Sequence, residues 1–103
     1  MKDDFERGLS PEEATARIRE IAKGVYRLEL AKSVSAVLGK QLIMSDILHV
    51  LENGEVTTSA EKSSMPGIFK YVMECGTPNH PNSNLRLSVI ISKAAWIKVC
   101  TIL

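Results

Sequence analysis

Two cysteines and two histidines are the only thiol and imidazole groups that the 103 residues offer to a metal ion. Cys75 and Cys100 form no CxxC pair, and neither His49 nor His80 stands at a ligand-like spacing from them, so no metal site is expected. The cysteines read as reduced thiols used as small hydrophobes. The six glycines never cluster, which removes the phosphate-cradling loops of nucleotide-binding proteins, and no cofactor is expected. No apolar run approaches the roughly 18 residues needed to span a bilayer, so no membrane partner is expected. The opening residues, Met1 to Arg7, lack the apolar stretch of a secretory signal, and a cytoplasmic protein is the expectation. With 13 Lys plus Arg against 12 Asp plus Glu, the broad positive field of a DNA-coating protein is missing as well.

What is present is an ordinary globular composition, with 45% apolar residues, enough for one domain. Residues 1–9 are charged and aperiodic and read as a mobile arm, leaving 10–103 as a single α+β domain. Ser10-Pro11-Glu12-Glu13 is a helix start: Ser10 caps, Pro11 suits the first turn, and Glu13 completes a capping box. Ala14, Ile18, Ile21 and Ala22 then recur at helical spacing up to Gly24. Val25–Leu30 alternates as a short strand. Ala31 to Lys40 is compatible with a second helix, and Ser45–Glu52 with a third, capped by Ser45 and stopped by Asn53-Gly54.

After Gly54 the pattern turns to strands: a short one at Glu55–Thr58, then Ile68–Cys75, Leu85–Ser92 and Trp96–Leu103. The stretch from Gly76 to Asn84 has the composition of a loop, and Lys93-Ala94-Ala95 that of a tight connection. The closing half therefore reads as an antiparallel meander with the helices on one face.

Catalytic constellations are scarce. Neither histidine has an identifiable partner for a serine or cysteine nucleophile, and no two acids are spaced for acid/base work. Cations remain. Lys32 and Lys40, eight residues apart, would share a face of the second helix. Lys70, Arg86 and Lys98 alternate with the apolar residues of their strands, and Lys62 precedes the sheet with Ser63 and Ser64. If they converge, they make a positive surface able to hold an RNA backbone.

The stretch from Ile18 to Val56, with Asp46-Ile47, Val50-Leu51 and Asn53-Gly54-Glu55-Val56, resembles a family of small bacterial domains of unknown function. Those domains look like the RelE-type toxin fold, nearest to the MqsR and BrnT toxins. Tyr71–Gly76, Arg86–Ile91 and Ile97–Thr101 continue the likeness, which covers about residues 15–103. The resemblance implies a RelE/MqsR-like fold whose sheet face binds messenger RNA and cleaves it without a metal. Lys62-Ser63-Ser64-Met65 is similar to a Lys-Ser-Met run that supplies an active lysine in the MqsR-like toxin, while Lys70 and Arg86 match two further site positions by place only. The catalytic set so implied is Lys62, Lys70 and Arg86, with Lys32, Lys40 and Lys98 binding RNA and an antitoxin as protein partner. The family's second helix shows His, Arg and Arg at four-residue steps where this chain has Lys32, Ala36 and Lys40. Two readings stay open: a toxin-like RNA-binding module acting as a metal-independent endoribonuclease, and a catalytically inactive protein-interaction domain on the same fold.

Overall fold

The computed structural model describes residues 8–40, 42–63, 68–92 and 95–103. Helix α1 spans Pro11–Lys23 and starts as its sequence dictates: the Glu13 N–H donates to the Ser10 hydroxyl and the Ser10 N–H to the Glu13 carboxylate. Strand β1 is Arg27–Leu30, shorter than the expected Val25–Leu30. It is followed by a single helical turn α2 (Lys32–Ser35), helix α3 (Met44–Asn53), and strands β2 (Glu55–Val56) and β3 (Glu61–Lys62). Strands β4 (Phe69–Thr77), β5 (His80–Ser92) and β6 (Trp96–Ile102) complete the chain. The fold is α+β.

Among the described residues six strands form one sheet in the order β1-β6-β5-β4-β2, with β3 also paired to β4. Strands β4, β5 and β6 form the antiparallel meander expected of the closing half, but the whole sheet is mixed and not the small antiparallel sheet expected, because β1 joins β6 in parallel. Helix α1 explains this. Its side facing β2 is pinned there, with the Val56 N–H donating to the Thr15 hydroxyl and Arg19 donating to the carbonyls of Asn53 and Gly54. The chain leaving α1 therefore enters the sheet at the opposite edge.

The main core lies between the helices and one sheet face. Ile18, Val34, Ile47, Val50 and Leu51 pack against Met73, Leu87, Val89, Ile97 and Val99. Burying each such side chain contributes roughly 1.5–3 kcal/mol. Leu9 is also buried in this core, and its N–H donates to the Tyr71 hydroxyl at 2.9 Å, so the last residue of the expected arm is docked. Residues 1–7 of that arm lie outside the described residues, as do Ser64, Met65, Lys93 and Ala94.

Three local expectations are corrected. The helix expected over Ala31–Lys40 stops after one turn, since Gly39 takes φ +81 and its N–H turns back to the Leu42 carbonyl. Ser45 does not cap α3. Ile43 holds that position and donates its N–H to the Asp46 carboxylate, an acid that satisfies the helix entry from within. The stretch Gly76–Asn84 is mostly strand: Thr77 pairs with His80 around Pro78-Asn79. Between the pairs Cys75–Leu85 and Thr77–His80, two steps on β4 face five on β5, so three extra residues bulge there.

Candidate functional site

Strand register decides which of the cations meet. Lys70 pairs with Ile90, and Ile90 with Lys98, so these three stand side by side on the face opposite the helices. Glu61 pairs with Lys70 on one flank and Glu29 with Lys98 on the other. One row thus reads Glu61, Lys70, Ile90, Lys98, Glu29. Ile90 is 2% exposed although it lies outside the main core, and the half-buried stems of the two lysines flank it. The Lys98 ammonium lies 3.5 Å from the Glu29 carboxylate. Cys100, the extra residue of a bulge opposite Ser88 and Val89, sits near the same charges. Burial pushes its thiol up, and Lys98 and Lys70 offset part of that rise.

Arg86 lies on the same face, four residues along β5 from Ile90, and donates to Glu74 at 2.9 Å. Glu74 also accepts from Asn84 and Thr57. Lys62 pairs with Phe69, whose side chain packs on the core, and so stands on the opposite face from Lys70. Lys62, Lys70 and Arg86 are therefore not brought together. Lys32 and Lys40 share no helix face either, because the turn at Gly39 separates them; both are exposed. Of the six expected cations, only Lys70 and Lys98 are close neighbours. Trp96, half-buried, pairs with Arg27 and Ser92 on this same face, away from buried Ile97.

A second constellation lies at the end of the sheet. A cleft of about 390 Å³ opens between α2, the following turn, the turn end of the β4–β5 hairpin and the end of β6. Val37, Leu42, Leu85 and Ile102 give it apolar surface, and Ser33, His80, Ser83, Asn84 and Thr101 give it polar groups. None of these nine carries a carboxylate or a lysine or arginine charge. Three of the exposed large apolar residues, Ile43, Met44 and Leu103, stand within two residues of Leu42 or Ile102 in the chain.

Asp46 fixes the hairpin beside it. The carboxylate is 2% exposed, accepts the Ile43 N–H at 3.1 Å and accepts the Asn79 amide at 3.1 Å from the hairpin turn. Burial alone would raise its pKa. Hydrogen bonds from Ile43, Thr77 and Asn79, together with His80, outweigh burial and hold it below the ordinary carboxylate value. The Thr77 hydroxyl in turn accepts the His80 N–H. Sequence reasoning gave Asp46 no such role and His80 little weight. The one available signal was an acid three residues after Ile43, the spacing of half a capping box.

Among the described residues no group of His, Cys, Asp and Glu could hold a metal ion, and no helix is long and apolar enough to cross a membrane. Comparison with protein-family models, with curated proteins and with solved structures gave no match.

Proposed function

We propose that the domain is a protein-binding module whose cleft seats an apolar side chain of a partner polypeptide. The observation that carries this reading is the partly apolar lining of the cleft, which holds no carboxylate, lysine or arginine. Hydroxyl and amide groups at Ser33, Ser83, Asn84 and Thr101 suit the backbone of a peptide beside such an anchor, and its volume suits a single large side chain. On the toxin-like reading, the partner would be an antitoxin chain. The RNA-directed, endonucleolytic reading has one observation in its favour, the pair Lys70 and Lys98 on a single face. Against it weigh the ion pairs of Lys98 with Glu29 and of Arg86 with Glu74. Phosphate binding there would have to displace those partners.

Selection of displayed peptides on the full chain tests the proposal, with Thr101→Arg as a control that narrows the cleft at an exposed position. The expected outcome is a set of peptides sharing an apolar anchor that the variant no longer binds. No enrichment, together with RNA retention that falls steeply with salt and vanishes in Lys70→Ala/Lys98→Ala, would replace this reading with the RNA-directed one.

A further inference from the structure

The two edges of the sheet differ. At one, β2 and β3 both pair with β4. At the other, β1 ends the strand order with a neighbour on one side only among the described residues. Arg27 and Ala31 turn their N–H groups to the Ala95 and Val99 carbonyls of the β6 side, so strand alternation turns the backbone groups of Leu28 and Leu30 outward. Val25, just before the strand, is 99% exposed, which is a large apolar group to leave in water beside an open edge.

The segment Val25-Tyr26-Arg27-Leu28-Glu29-Leu30-Ala31 is complementary to itself when run antiparallel. With a two-fold axis at Leu28, Leu28 meets Leu28 of a second copy, Arg27 meets Glu29, Tyr26 meets Leu30 and Val25 meets Ala31. Apolar residues meet apolar ones and each arginine meets a glutamate. The outward-turned backbone groups of Leu28 fall in a hydrogen-bonded pair, as antiparallel geometry requires. Centring the axis on Glu29 would instead set two glutamates against each other, which disfavours that register. We infer that β1 is a homodimerisation edge, at which a second copy of this chain adds its own β1 and continues the sheet across a two-fold axis. Each copy contributes few residues to this contact, so the dimer is weak and forms as protein concentration rises. This inference is independent of the cleft and of what the cleft binds.

The test is sedimentation of the full chain from micromolar to millimolar protein, with charge variants. Wild type is expected to dimerise. Arg27→Glu alone and Glu29→Arg alone each place like charges across both symmetric pairs, and each should weaken the dimer on the order of tenfold. An equimolar mixture of the two variants restores both opposite-charge pairs and should dimerise again. Circular dichroism of each variant checks that it folds. A wild type monomeric at every concentration, single variants that dimerise undiminished, or a mixture without recovery would each overturn the inference.

Discussion

The face of the sheet opposite the helices and the cleft at the sheet's end use polar groups in opposite ways. On the face, the charges are matched locally. Lys98 has Glu29, Arg86 has Glu74, and Lys70 stands opposite Glu61. The cleft lining holds no carboxylate, lysine or arginine, only hydroxyls, an amide, an imidazole and apolar surface, and the Asn84 amide donates to Glu74. A charged row that is balanced within the fold covers a buried residue, whereas hydroxyls around an apolar floor suit the backbone of a partner. The row is therefore a structural cover over Ile90, and the cleft is the surface we propose for binding.

The sharpest way to break this comparison is to remove what the row covers. Ile90→Ala should destabilise the domain by about 2–4 kcal/mol, as truncation of a core isoleucine does, measured by urea unfolding. A loss under about 1 kcal/mol would mean that the row leaves Ile90 poorly packed. The hairpin clasp comes next. Asp46→Ala removes a buried acceptor of several hydrogen bonds and should cost about 1–3 kcal/mol. The sign of its pH dependence follows from its lowered pKa. The Asp46 contribution is complete above the ordinary carboxylate value and is lost as pH falls through the folded value below it. The variant should therefore lose less stability than wild type on acidification below about pH 4. Equal acid sensitivity in the two proteins would remove Asp46 from that account.

A smaller effect is expected at the turn that cuts short the second helix. Gly39→Ala places a side chain at φ +81, and although space is open around it, the backbone strain should cost about 1 kcal/mol, read from the thermal midpoint. The smallest effect belongs to the charges themselves. Lys98→Met breaks a partly exposed pair but keeps the apolar stem beside Ile90, so stability should change by less than about 1 kcal/mol. Peptide binding in the cleft should not change at all.

The fold was legible where its causes are local. The capping box at Ser10 and Glu13, the stop at Asn53-Gly54 and the alternation of Phe69–Cys75 and Leu85–Ser92 each lie within one stretch of chain. What the sequence could not show depends on pairing between distant stretches. The parallel partnership of β1 with β6 joins residues 27–30 to 96–99, and no local pattern encodes it. The same limit explains the cations. Lys70 and Arg86 each alternate away from apolar neighbours and Lys62 precedes them in the chain, yet register puts Lys62 on the other face and leaves Arg86 beside Glu74. Asp46 escaped notice because its partners, Thr77, Asn79 and His80, reach it only once the β4–β5 hairpin has formed. Helix-compatible residues over 31–40 misled for a related reason: Gly39 decides the local path, and burial of both Val34 and Leu42 rewards the reversal.

Amide chemical-shift mapping on the full chain tests the central claim most directly, with a selected apolar-anchor peptide in one titration and single-stranded RNA in another. The account predicts peptide-induced shifts at Ser33, Leu42, Ser83, Leu85, Thr101 and Ile102, and a row from Lys70 through Ile90 to Lys98 left unmoved by RNA. Saturable RNA-induced shifts along that row, with the cleft silent to peptide, would contradict it.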